Sequence, residues 1–231
     1  MQEQDVIIRP VAHIYTDFSE KFGIPRQSGL VDELCGRVVF LPEYRRKEAL
    51  RRIEEFSHLW LIWQFSKAVV QDFRPTVRPP RLGGNERVGV FASRAPYRPN
   101  SLALSCVRLI RVDWDAPDGP ALIVGGVDML SGTPVFDIKP YIPVADCHPE
   151  ATQGYTAETR QHFLQVDVPQ CLQALLPPEQ LSALTGVLRR DPRPGYEDKP
   201  DVEYGMAFAG FDIGFTVQGD LLTVTRIERK D

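Results

Sequence analysis

Apolar and polar positions along this chain repeat mostly with the period of strands. Residues 6–14 (VIIRPVAHI) are apolar and β-branched and predict a first strand. Residues 35–41 (CGRVVFL) predict a second. Residues 58–65 (HLWLIWQF) form a continuous apolar run too short for a buried helix, which reads as a central strand. Residues 87–93, 102–114, 120–128 and 135–141 predict four more. Gly125-Gly126 in the third of these suggests a bulge or a close backbone approach. Helical period is rarer. Pro42-Glu43 opens EYRRKEALRRIEEF, where Glu48 precedes Arg52 by four residues, and this predicts a helix. Residues 178–190 predict another, with arginines at its C-terminal end and Asp191-Pro192-Arg193-Pro194 to stop it. Residues 163–168 predict a strand, and residues 207–217 and 221–227 flank Gln218-Gly219-Asp220 as a hairpin.

Short strands without regular intervening helices argue for a closed or buckled, barrel-like sheet and against a doubly wound α/β fold. The polar, small-residue stretch 146–159 reads as a linker. The expected organisation is a mainly β barrel domain over residues 1–148 and a small α+β domain over residues 149–231.

Composition narrows the class. No apolar run reaches the roughly 18 residues of a membrane span. The N-terminus lacks a basic segment followed by an apolar one, so a cytoplasmic location is expected. Cys35, Cys106, Cys147 and Cys171 form no CxxC pair, and the histidines form no HxH or HxxxH pair. Reduced thiols and no metal are expected.

Charge changes the picture locally. The chain has a net charge of −4, yet residues 74–111 hold eight arginines and one acid, Glu86. Prolines keep most of this segment out of helix. A basic, Pro/Gly-punctuated loop suits a polyanion or a phosphorylated ligand, or else pairs with acids elsewhere. Residues 82–89 (LGGNERVG) match neither GxGxxG nor GxxxxGK[ST], which argues against a Rossmann or P-loop site. In Arg94-Ala95-Pro96-Tyr97-Arg98-Pro99-Asn100-Ser101 two arginines bracket an aromatic, a set able to fork onto a carboxylate or phosphate and to stack on a base, or to brace a rigid turn. In Asp137-Ile138-Lys139-Pro140-Tyr141, alternation puts Asp137, Lys139 and Tyr141 on one strand face, as a polar ligand site or a surface ion pair.

Taken together, these segments resemble the TsaA/YaeB (TrmO) family. The matching stretches are Lys21-Phe22-Gly23-Ile24-Pro25-Arg26-Gln27, Phe56-Ser57-His58-Leu59-Trp60, the run 74–85, Gly89-Val90-Phe91-Ala92-Ser93-Arg94, Arg98-Pro99-Asn100, Gly132-Thr133-Pro134, Asp137-Ile138-Lys139-Pro140-Tyr141 and Asp191-Pro192-Arg193-Pro194-Gly195-Tyr196. They cover nearly the whole chain in the family's order. The resemblance implies a buckled β pseudobarrel, a homodimer, and S-adenosyl-L-methionine-dependent methylation of tRNA. The implied acceptor is N6 of threonylcarbamoyladenosine (t6A), just 3′ of the anticodon in threonine tRNA.

By position, the resemblance assigns cofactor contacts to Pro25, Arg26, Gln27, Ser66, Lys67, Arg94, Leu104, Asp128, Met129, Leu130 and Ser131. Asp137 is expected to orient or deprotonate N6, with Lys139 and Tyr141 shaping the pocket. Arg98 and Asn100 are expected near the acceptor base, Arg98 at its threonyl carboxylate. Arg78 and Arg81 are expected at tRNA phosphates or the partner subunit, and Arg193 and Tyr196 at the tRNA. This chain departs from the common family pattern at three places. Ser66-Lys67 replaces His-Gln, Asn100-Ser101-Leu102-Ala103 replaces Asn-Pro-Ile-Gly, and Ser131 replaces an aspartate. Two other classes remain open at this point: a tRNA- or nucleotide-binding module without catalysis, and a methyltransferase of the same fold acting on another substrate.

Overall fold

Strand alternation organises the first part of the chain. β1 (Ala12–Thr16), β2 (Cys35–Phe40) and β3 (His58–Gln64) are followed by a short ribbon, β4 (Thr76–Val77) and β5 (Val88–Gly89). Then come β6 (Leu102–Asp113), β7 (Ala121–Gly125) and β8 (Thr133–Pro140). All strands but the ribbon close an antiparallel barrel in the order β1-β2-β7-β6-β3-β8. Closure leaves no unpaired sheet edge. This computed structural model describes residues 6–67, 73–79, 86–158, 162–193 and 202–230.

The inward residues are those the alternation predicts. Leu59, Leu61 and Trp63 of β3 face Ser105 and Val107 of β6 and Val135 of β8 inside the barrel. The residues between them form an outer wall. Register places Leu104, Ile62 and Asp137 in one row across it, and Cys106, Trp60 and Lys139 in the next. Leu104 is 54% exposed, unusual for a leucine in the middle of a sheet.

After β8 the chain runs through α1 (Pro143–Asp146), a 3-10 turn at Gly154–Glu158, β9 (Gln165–Asp167) and α2 (Gln170–Gln173). It then forms α3 (Pro178–Arg189), β10 (Tyr204–Phe208), β11 (Phe211–Gln218) and β12 (Leu221–Arg229). The last strands make a sheet in the order β10-β11-β12-β9, with β9 parallel to β12. Ala183, Leu184, Val187 and Leu188 put the apolar stripe of α3 into the core.

This second sheet sits on the β1–β2 connection, residues 17–34. Phe18 and Phe208 meet edge to face with centroids 5.4 Å apart, and the Ala209 amide donates to the Asp17 carbonyl at 2.8 Å. Two glycines permit the approach. A Cβ on Gly23 would lie 2.4 Å from Met206 Cε, and one on Gly186 of α3 would lie 2.7 Å from Val31 Cγ1. The connection is therefore held by the C-terminal sheet and α3.

Four expectations are corrected. The helix expected from residue 43 is three 3-10 turns, Pro42–Tyr44, Lys47–Leu50 and Ile53–Glu55, interrupted by extended Arg46 and by Arg52 at φ 70°. Burying Leu50 and packing Ile53 on the barrel outweigh the local helix preference of the charged residues. The strand expected over 87–93 lasts two residues before Val90, 1% exposed, anchors a 3-10 turn. The first strand begins at Ala12, leaving Val6 and Ile7 exposed. Residues 207–217 are not one strand, since Ala209 (φ 52°) and Gly210 (φ 80°) turn β10 back into β11.

Candidate active site

The site grows at one end of the barrel, where the β1–β2 connection, the turn after β7 and the turn before β6 meet. The connection is tied to the β7 turn through two amide–carbonyl bonds of 2.8 Å, Gly29 to Gly126 and Gly126 to Leu34. On the β7 turn, Thr16 Oγ1 donates to the Met129 carbonyl at 2.9 Å and the Ser131 amide donates to the Phe18 carbonyl at 2.8 Å. Thr133 Oγ1 closes the turn on the Leu130 carbonyl at 2.7 Å. From the third side, Arg94 Nη1 donates to Gln27 Oε1. Lys21 Nζ reaches the Lys67 carbonyl at 2.6 Å, drawing the end of the β3 segment to the same loop.

Asp128 is the chemical centre of this cluster. Its Oδ1 accepts from Ser105 Oγ at 2.7 Å, and Ser105 Oγ accepts from Trp63 Nε1 at 2.9 Å inside the barrel. Burial pushes the Asp128 carboxyl up to about 6. The Ser105 hydroxyl, the amides of Asp128 and Ser28, and the charge of Arg94 pull the other way. A half-buried carboxylate, an exposed guanidinium and a carboxamide in one loop cluster suit a ligand with both cationic and anionic ends.

The structure thus brings together Gln27, Lys67, Arg94, Asp128, Met129, Leu130 and Ser131, with Pro25 and Arg26 on the same loop. Pro25 and Arg26 also border a small crevice against Val187, Asp191 and Pro192 at the end of α3. Met129 differs from expectation: its side chain is fully buried in the core, so only its backbone belongs to the turn's surface. Ser66 is exposed beside Lys67.

Leu104 points to the outer wall, away from its neighbour Ser105, and Asp137 and Lys139 share that wall. Lys139 Nζ lies 3.0 Å from Asp137 Oδ2, both side chains well exposed, and Asp137 Oδ1 accepts from the Ile138 amide at 2.9 Å. The Tyr141 ring packs 5.8 Å from Trp60 and 6.2 Å from His58. Asp137, Lys139 and Tyr141 lie along one side of β8, as alternation requires.

The expected tRNA contacts scatter. Arg98 Nη1 is turned back onto the Ser93 carbonyl at 2.8 Å, bracing its own turn, while Asn100 is exposed. Arg78 follows β4 on the basic ribbon. Arg193 is 8% exposed and grips Asp191 with two bonds of 2.8 and 2.9 Å, so its guanidinium closes the end of α3 rather than facing solvent. Arg81 and Tyr196 lie outside the described residues. Among the described residues no group of three His, Cys, Asp or Glu is placed to hold a metal. Sequence reasoning missed Ser105, Trp63, Ser28, Thr16 and Lys21. The available signal was no more than a lone serine within a largely apolar strand, with no indication of the face it takes.

Residues 13–147 match the family model of the tRNA-methyltransferase O N-terminal domain, and residues 161–230 match the TrmO C-terminal domain. The chain belongs to the TrmO family. A tRNA (adenine(37)-N6)-methyltransferase of Escherichia coli is 39% identical over 218 residues, covering 89% of this chain and 88% of that protein. A putative S-adenosylmethionine-dependent methyltransferase of Pseudomonas aeruginosa is 37% identical over 215 residues, 89% and 90% of the two chains. The crystal structure of TrmO from Pseudomonas aeruginosa superposes with a TM-score of 0.76 at 30% identity, covering 97% and 99%. The TrmO fold therefore extends through both sheets.

One position where the resemblance leads one to expect proline is occupied differently. Ser101 has φ 46° and donates its amide to the Arg98 carbonyl at 3.2 Å. Proline can do neither.

Proposed function

We propose that this chain transfers a methyl group from S-adenosyl-L-methionine to N6 of adenosine 37 in tRNA, and that its acceptor is the t6A nucleoside of threonine tRNA. The observation that carries the reading is the near full-length similarity to a tRNA (adenine(37)-N6)-methyltransferase. The site chemistry supports it. Asp128 suits the cationic part of the donor and Arg94 its carboxylate, while Gln27 fixes Arg94 and the backbone of 128–131 completes the wall. When bound, the donor supplies an activated methyl group on a sulfonium. The chain's own contribution is alignment and exclusion of water.

The acceptor nitrogen is a weak nucleophile, conjugated to the purine and the carbamoyl group, so a proton acceptor aids transfer. We assign that role to Asp137, exposed on the outer wall in the same row as Leu104, with Lys139 and Tyr141 shaping the pocket. Release of Arg98 from Ser93 would let it meet the threonyl carboxylate. Arg78 and its ribbon suit tRNA phosphates. The outer wall, with Leu104 exposed at its centre, suits a second copy of the chain.

Single-turnover methylation with purified protein and threonine tRNA, carrying or lacking the threonylcarbamoyl group, tests the reading. Methylation confined to the modified tRNA supports it. Binding of tRNA without uptake of S-adenosylmethionine supports a non-catalytic module instead.

A further inference from the structure

We propose that Ser105, backed by Trp63, is a positioning residue that fixes the Asp128 carboxylate for the cationic methyl donor. The proposal rests on the donor-site reading above.

The inward faces of β3 and β6 are otherwise apolar at this level, with Leu59, Leu61 and Val107 around the pair. A hydroxyl placed there is costly unless both its roles are met. Ser105 is 1% exposed and both are met. The indole N–H of Trp63 can only donate, so the Ser105 oxygen must accept from it. The single Ser105 proton is then left for Asp128 Oδ1. The direction of the relay is set from the buried end, and it delivers a donor to an ionised carboxylate.

The other buried serine and threonine among the described residues do something different. Thr133 closes its own turn on Leu130, and Ser101 lies at 3.5 Å from the Arg98 carbonyl. Only Ser105, of these, donates to a carboxylate of the candidate site. The groups facing Asp128 are few. The 93–98 turn brings the charge of Arg94, the β1–β2 connection brings the Ser28 amide, and the β7 turn brings Asp128's own amide. β3 and β6 bring the neutral Trp63 and Ser105. Removing the hydroxyl leaves burial less opposed, and the carboxylate both harder to ionise and freer to rotate.

Calorimetric titration of S-adenosylmethionine into the full chain, over roughly pH 5 to 8, reads this directly. Wild-type affinity is expected to fall as pH drops through about 6. Ser105→Ala should move that midpoint to higher pH and weaken binding about tenfold at neutral pH, because a hydrogen bond to a charged group is lost. Ser105→Thr, which keeps the hydroxyl, should restore the wild-type profile. Ser105→Cys keeps the volume and weakens the donor, so it reports the same shift if the alanine variant does not fold. A Cys or Ala variant with the wild-type midpoint and affinity would show that Ser105 only packs, and overturn the proposal. Wild-type protein that takes up no S-adenosylmethionine at any pH overturns the donor-site reading itself, and the proposal with it.

Discussion

At Asp128, burial and charge compete. Its folded-state value of about 6 lies above the ordinary 3.8, so folding takes up a proton between these values. Stability from this group is full below 3.8 and is lost as pH rises through about 6. Asp128→Asn should therefore raise stability by ~1–2 kcal/mol at neutral pH, a gain that fades as the solution is acidified. Thermal melts over a pH series check the sign, and donor binding should weaken in the same variant. Ser101 carries a second prediction at this scale. Ser101→Pro should cost ~2–3 kcal/mol, because φ 46° and the bond to Arg98 are both lost. Denaturant unfolding measures it. Asp128 was singled out in the sequence only by position, through the family resemblance, as part of the turn after a glycine-bearing strand. Ser105 was not, because whether a strand residue faces inward depends on register, and one step reverses it.

Elements show how tertiary contacts override local preference. The stretch after Pro42 has the charges of a helix, but only Leu50 is buried along it, and three 3-10 turns cover the distance to β3. Most strands of the barrel were readable from alternation, and β3 from its short continuous apolar run. The turn at Ala209-Gly210 was not, because apolar residues continue on both sides of it. α3 offers a test of packing against propensity. Gly186→Ala should gain ~1 kcal/mol of helix preference in isolation. The new Cβ would stand 2.7 Å from Val31, so the net change should be a loss of about 1–2 kcal/mol. A rise in Tm would show that the connection yields, and that α3 does not clamp the loop carrying Arg26 and Gln27.

Across the whole molecule, two surfaces of the barrel divide the expected work. The loop cluster at its end gathers Gln27, Arg94 and Asp128, while the outer wall carries Leu104, Asp137 and Lys139. The resemblance grouped Leu104 with Gln27, Arg94 and Asp128 as cofactor contacts, whereas the register sets it beside Asp137 on the outer wall, since nothing in a linear sequence tells which side of a closed sheet a residue takes. A second copy covering the wall, the arrangement proposed above, would account for the exposed Leu104. Leu104→Arg should shift a dimer to monomer in sedimentation or light-scattering measurements and reduce methylation at least about tenfold. The most direct test of the account is mass spectrometry of nucleosides from threonine tRNA after incubation with the protein and S-adenosylmethionine. Conversion of t6A to its N6-methyl form is expected, with tRNA carrying unmodified adenosine 37 left unchanged. Methyl groups on another nucleoside, or none on t6A, would contradict it.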